Sequence, residues 1–337
     1  MRAYEVGPEF GLAHLKIVER PMPKPGYGEL LVRIRACSLN FRDWLVVEGH
    51  YNSRLKLPRI PASDGAGVIV ECGPGVTGFQ AGDRVTGCLL PKWNDGPLTA
   101  DAARFALGGQ MDGTLAEYVI WSADGVIRTP GWMTDAQAAT LPCAALTAWH
   151  AIVELGIQPG DSVLIQGTGG VAVFALQFAL LAGARTIVTS RSEKKLAVVR
   201  QMGAHETICT VQSPQWEAVV LELTDGKGVD QVVELGGAGT MPQSVKAVRH
   251  GGRINMIGVL AGTSGQFNPL TALMKAIRIQ GIFVGSTAMF ERMLRAMTLH
   301  RTAPVIDRQY PFESVPQALQ DLVAAQHMGK LVITVAE

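Results

Sequence analysis

With 337 residues, the chain is long enough for about two domains. Its 47% hydrophobic and 18% charged residues exclude a disordered segment, and a net charge of +1 without a basic run argues against nucleic acid or an anionic membrane as partner. Five cysteines scattered without short pairs are no disulfide framework, and residues 1–5 (MRAYE) open no apolar signal core, so a reducing, cytoplasmic location is expected.

Residues 1–125 read as all-β. The stretch 30–36 alternates over most of its length after a glycine turn at 26–28, and further strands are expected at 65–71, 83–86 and 116–120. Many short strands with glycine turns predict a small barrel-like domain. Between Cys88 and Gly113 the text is irregular and contains Trp93; a loop of that length is a functional lid or mobile.

From 126 onward the pattern changes. Helices are expected at 134–139 and 144–155, stopped by Gly156 and Pro159-Gly160. The stretch 162–191 then combines an apolar run (Val163, Leu164, Ile165), the glycines 167, 169 and 170, and apolar residues at helical spacing: Val171, Phe174, Ala175, Phe178 and Leu181. Gly183 closes that helix and 186–189 opens the next strand. Strands at 207–208, 229–235 and 253–257 alternate with helices at 193–201, 216–223 and 241–248, as in a doubly wound parallel sheet. Beyond Gly265 come a helix at 270–277, an apolar strand at 279–284, a helix at 289–299 and a last strand at 332–335. The 279–284 strand has neither proline nor charge, so its open edge suits pairing in a homodimer.

The spacing Gly167-x-Gly169-x-x-Ala172, set between a buried strand and a helix, predicts a dinucleotide site. Glycines let the backbone approach a pyrophosphate, and the helix start at Gly170 offers unpaired N–H groups to it. Thr168, Val171 and the glycines around them are the expected contacts. At the end of the next strand stand Ser190 and Arg191, with Lys195 close by and no carboxylate to accept a ribose 2′-OH. A hydroxyl and cations suit a 2′-phosphate, so the expected cofactor is NADP(H); the alternative is that these cations are simply solvated. Gly236, Gly237, Gly258, Val259 and Leu260 fall at strand carboxyl ends, where such ligands sit, although Gly236-Gly237 also reads as an ordinary strand-end turn.

Several motifs together resemble the medium-chain dehydrogenases/reductases, in their zinc-free, quinone-oxidoreductase-like branch. They are Asn40-Phe41-Arg42-Asp43, Pro61-Ala62-Ser63-Asp64-Gly65, Gly82-Asp83-Arg84-Val85, Gly113-Thr114-Leu115-Ala116-Glu117-Tyr118-Val119, Leu141-Pro142-Cys143, Thr147-Ala148-Trp149 and Gly329-Lys330-Leu331-Val332. The resemblance covers essentially the whole chain. It implies an α/β protein with a GroES-like β-barrel substrate domain (1–125, completed by 266–337) and a Rossmann domain binding NADP(H) (126–265), usually as a dimer. It adds Thr147, Phe283, Val284 and Lys330 to the expected cofactor contacts.

Zinc-dependent members of that family hold their catalytic metal with a cysteine, a His-Glu pair and a second cysteine. Here Asn40 stands for the first cysteine, Ser63-Asp64 for the pair, and only Cys143 matches. One thiolate cannot fill a site that needs three protein ligands, so no metal is expected. Cys143 reads as a packing residue or, less simply, as a reactive thiol. Without a Lewis acid, oxidising an alcohol is difficult, whereas reducing a conjugated double bond needs only a hydride, a proton and donors for the enolate oxygen. Asn40 and Tyr51 are the candidate catalytic donors, and His50 and Trp93 the candidate pocket residues; a turn residue and a core aromatic are the plain readings of Asn40 and Tyr51. The expected activity is zinc-independent reduction of quinones or α,β-unsaturated carbonyls with NADPH, against a dehydrogenase of small alcohols or a nucleotide-binding protein without turnover.

Overall fold

Short apolar runs form the strands β1 (Arg2–Val6), β2 (Leu15–Glu19), β3 (Glu29–Leu39), β4 (Asp64–Cys72), β5 (Arg84–Gly87), β6 (Tyr118–Ser122) and β7 (Val126–Arg128). Next come β8 (Ser162–Gln166), β9 (Arg185–Ser190), β10 (Glu206–Cys209), β11 (Val229–Glu234), β12 (Val248–Met256) and β13 (Arg278–Gly281). The last two are β14 (Ile306–Pro311) and β15 (Lys330–Thr334). This computed structural model describes residues 1–335, in two units: 1–146 with 284–335, and Thr147–Phe283.

The first unit holds a seven-stranded sheet in the order β14-β15-β3-β4-β5-β7, with β6 also on β3, and the separate hairpin β1-β2. Its core gathers Leu30, Val32, Ile34 and Cys37 of β3 with Leu331 and Ile333 of β15 and Leu319 and Leu322 of the helix Val315–Ala324. The all-β expectation for residues 1–125 missed the helix Phe41–Val47, although Asn40 at its start and Asp43 three residues on are a capping signal.

In the second unit, six parallel strands lie in the order β10-β9-β8-β11-β12-β13. Numbered from β8, that order is 3-2-1-4-5-6, the doubly wound dinucleotide-binding topology, with its switch point at β8. Val163, Leu164 and Ile165 are fully buried, as a strand covered on both faces requires. The helix Gly170–Leu181 buries seven of its residues all round rather than one stripe, and Leu181, expected on the inner face, is exposed.

The units divide at 146/147 and 283/284, not at 125/126 and 265/266. Residues after 126 stay with the first unit because β7 pairs with β5, and because Ala138 and Ala139 pack on Ala36, Ala66 and Val332. The 278–281 strand stays with the second because it hydrogen-bonds along β12. The helix expected at 144–155 is instead broken into π-turns at Leu141–Ala145 and His150–Glu154 around the α-turn Leu146–Trp149. Within the second unit, Ala151's carbonyl accepts from Gln231 and Asn255 side chains of β11 and β12. Among the described residues no helix is long and apolar enough to cross a membrane.

Candidate active site and cofactor-binding turn

The glycine turn leaves β8 and enters the helix Gly170–Leu181. Gly167 has φ +81, a left-handed conformation that favours glycine, and its N–H is tied to Thr189's carbonyl at 2.8 Å. Gly169 differs: φ −77, ψ −172 is ordinary extended backbone, and an added Cβ would meet no protein atom within 4 Å. Neither conformation nor packing against this chain requires glycine there, so the open space above the helix start fits a bound pyrophosphate. Ala172, in the third position, is 2% exposed. Thr147 and Thr168 are buried, while Gly170 and Val171 keep partial exposure.

At the tip of β9, Ser190 Oγ accepts from the N–H of Ser192 at 3.2 Å, which leaves the Ser190 hydroxyl hydrogen to donate. Arg191 beside it is exposed, and Lys195 lies in the first turn of the helix Glu193–Gln201, capped by Ser192.

The strand-end glycines past β11 have a different explanation. The buried Glu234 carboxylate accepts from the N–H groups of Gly236 (2.8 Å) and Gly237 (3.0 Å), from Thr240 Oγ1 and from Gln166 Nε2 (2.8 Å), with the Ser244 hydroxyl completing the set. Those two N–H groups are therefore spent within the protein. A Cβ on Gly236 would lie 2.2 Å from Thr240 Oγ1, one on Gly237 2.8 Å from Gly262's carbonyl, and one on Gly258 2.3 Å from Leu235's carbonyl. Close packing of loops accounts for these three glycines. Val259 and Leu260 are exposed at the same end, at 42% and 62%. Phe283 is 36% exposed, and Val284 is buried with φ +56.

A buried polar cluster in the first unit brings together Asn40, Asp43, Asp64, Cys143 and Lys330. Asp43's carboxylate accepts from Asn40's main-chain N–H at 2.8 Å, capping the helix Phe41–Val47. Asp64 Oδ1 accepts from Ser63 Oγ at 2.7 Å and its Oδ2 from the Cys143 N–H at 3.2 Å. Lys330, 2% exposed at the start of β15, donates to Leu39's carbonyl at 2.6 Å and to Asn40 Oδ1. Burial pushes Asp64's carboxyl up, opposed chiefly by the Lys330 ammonium and then by the Asn40 amide. Burial likewise raises Asp43 to about 6 against the pull of Arg42, and with Asp64's charge it drives the Cys143 thiol to about 12. Asn40 Nδ2 is buried and meets no acceptor at hydrogen-bond geometry among the described residues; Arg42 Nε and Nη2 are in the same condition.

Tyr51 follows the same helix, its ring 5.0 Å from the Arg42 guanidinium carbon. His50 is exposed, with its ring 5.8 Å from that of Trp44. Trp93 is 5% exposed and gives its indole N–H to Gly96's carbonyl at 2.9 Å, so it anchors its own loop. Sequence reasoning had no role for Asp43, Gln166 or Glu234. Asp43 carried the capping signal; Glu234 carried only the sign of a carboxylate at the end of an apolar strand.

The zinc-binding dehydrogenase family matches residues 170–298, and the alcohol dehydrogenase GroES-like domain matches residues 26–131. A zinc-type alcohol dehydrogenase-like protein of Schizosaccharomyces pombe is 40% identical, over 96% of both chains. The quinone oxidoreductase of Mus musculus is 27% identical over 99% of this chain and 97% of its own. Among solved structures, an NAD-dependent alcohol dehydrogenase superimposes with a TM-score of 0.92 at 34% identity, covering both chains fully.

Proposed function

Because the chain belongs to the medium-chain dehydrogenase/reductase superfamily, whose members here are oxidoreductases, we propose that it is an NADPH-dependent, zinc-independent reductase of quinones or α,β-unsaturated carbonyls. The observation that carries this reading is the buried Asn40 amide N–H group without an acceptor, in a cluster whose oxygens already have donors. Spare donors suit an oxygen that gains negative charge, and they do not suit a cation.

The residues do not fit zinc. Asn40 Oδ1 is taken by an ammonium, and both Asp64 oxygens accept protein donors. Among the described residues no group of three or more His, Cys, Asp or Glu side chains could hold a metal. No step is assigned to a metal.

The second unit's turn does fit a dinucleotide: N–H groups at the Gly169-Gly170 helix start for the pyrophosphate, and Ser190 with Arg191 for a 2′-phosphate. When bound, NADPH supplies the hydride. Asn40 donates to the substrate's carbonyl oxygen as it becomes an enolate, and Tyr51 is the second candidate donor; solvent gives the proton to the α-carbon.

The NAD-dependent alcohol dehydrogenase neighbour favours a second reading, oxidation of small alcohols with NAD⁺. A steady-state panel decides between them: NADPH and NADH against enones, quinones and aldehydes, and NAD⁺ against alcohols, before and after prolonged chelation. Turnover of enones or quinones with NADPH that survives chelation is expected. Alcohol oxidation alone, abolished when stoichiometric zinc is removed, would establish the other activity.

A further inference from the structure

We propose that Lys330 is a positioning residue that fixes the orientation of the Asn40 side-chain amide, presenting Nδ2–H to a substrate carbonyl; this rests on the reductase reading. Lys330 was expected to touch the cofactor, but its surroundings point elsewhere. It is 2% exposed, and its ammonium is committed to Leu39's carbonyl and Asn40 Oδ1. Gly329 before it has φ +73, and a Cβ there would stand 2.4 Å from Val305's carbonyl, so the chain enters β15 in one defined conformation.

An amide can sit in either of two orientations related by a flip, and its neighbours decide between them. An ammonium only donates. The Lys330 contact therefore assigns the oxygen of Asn40 to Lys330 and turns its NH₂ away. The main chain of Asn40 is held from the other side by Asp43, whose carboxylate accepts its N–H at 2.8 Å. What remains is one donor group on a side chain 8% exposed, oriented and without an acceptor at bonding geometry. A buried donor of this kind is costly unless something fills it. Asp64 is the competing acceptor within the chain: the Asn40 amide acts on it as a hydrogen-bond donor that lowers its proton affinity, although Nδ2 meets neither of its oxygens at full bonding geometry, and those oxygens also accept from Ser63 and Cys143. A substrate oxygen gaining charge is the stronger acceptor, and a donor fixed in advance loses nothing to reorientation.

The test compares Lys330→Gln with Lys330→Met. Both remove the charge and are alike in length, one atom shorter than lysine, but only glutamine retains an N–H for Asn40 Oδ1. With the best enone or quinone, Asn40→Asp is expected to lose about 10²–10³-fold in kcat, the usual cost of one oxyanion donor. Lys330→Met should lose at least about tenfold in kcat, Lys330→Gln should recover most of it, and Met combined with Asn40→Asp should be no worse than Asn40→Asp alone. NADPH dissociation constants, read by fluorescence, should stay unchanged throughout. Equal losses in Gln and Met, additive losses in the double variant, or weakened NADPH binding with kcat preserved would overturn the proposal. An activity-independent measurement separates it from the parent reading: in ¹⁵N-asparagine-labelled protein the Asn40 NH₂ pair should exchange slowly with solvent in wild type and Lys330→Gln, and quickly in Lys330→Met. Slow exchange in all three would refute the orienting role even if enones are reduced. Slow exchange lost only in Met, with no enone or quinone turned over, would keep the orienting role and discard the substrate class.

Discussion

Gln166 at the end of β8 donates from Nε2 to the Glu234 carboxylate at the end of the adjacent β11, 2.8 Å away, while its Oε1 accepts the N–H of Leu235 at 3.0 Å. The two side chains tie together the carboxyl ends of neighbouring strands at the switch point of the sheet, beside the glycine turn that begins one residue after Gln166. Glu234→Ala would strip the acceptor from the buried Gly237 N–H and the Ser244 hydroxyl, each costing about 1–3 kcal/mol, while Gly236 N–H keeps Gln166 Oε1 at 3.2 Å. The expected result in urea denaturation is a loss of at least about 2 kcal/mol of stability. An unchanged transition would mean that water replaces the carboxylate.

The glycines divide into those needed by the fold and those needed by a ligand. Gly169→Ala has no protein atom to meet and no strained dihedral, so its Tm should stay within about 2 °C of wild type while NADPH binding weakens. Gly258→Ala would press a Cβ to 2.3 Å from Leu235's carbonyl and should cost about 1–3 kcal/mol through overpacking. Calorimetry with cofactor titration on both variants reads the contrast; identical behaviour would remove the argument for the cofactor turn.

Ser190 and Arg191, with no acidic residue at the tip of β9, predict that NADPH binds at least about tenfold more tightly than NADH, the margin of one charge-assisted phosphate contact. Arg191→Ala should erase most of that margin and leave NADH binding alone. Equal affinities in wild type would sink the assignment.

Asp43 provides a pH dependence. Burial lifts its pKa from the ordinary 3.8 to about 6, opposed by Arg42 and Lys330 and reinforced by the Asp64 charge. A carboxyl whose folded pKa lies above its unfolded value holds its proton more tightly when folded. Its contribution to stability is complete below 3.8 and is lost as pH rises toward 6. Relative to Asp43→Asn, the wild-type protein should therefore lose stability across that window and show a constant difference above it. A difference that is flat from pH 4 to 7 would contradict the raised pKa.

Strand β13 closes one edge of the parallel sheet: it pairs only with β12 among the described residues, and its four residues are all exposed. A homodimer joined along that edge is expected, and Ile279→Lys, at 40% exposure, should give a monomer in light scattering. Ile282 belongs to the interior, at 7%, so it is not a suitable probe. A monomeric wild type would rule the interface out.

The local text was enough for the parallel sheet and the glycine turn, because a strand buried on both faces, a tight turn and a helix leave their signature within twenty or so consecutive residues. It was also enough for the substitutions Asn40, Ser63-Asp64 and Cys143, since those depend on residue identity alone. Which partners those residues find was decided by the tertiary fold. Lys330 lies 290 residues from Asn40 in the chain and reaches it because β15 pairs antiparallel with β3, placing Leu331 opposite Leu39. Similarly, Gln166 reaches the Glu234 carboxylate, 68 residues away in the chain, because β11 lies beside β8. Hydrogen-bond donors and acceptors carry no mark in the sequence of whether a neighbour, a ligand or nothing will meet them, and burial, which makes that meeting decisive, is a property of the folded chain.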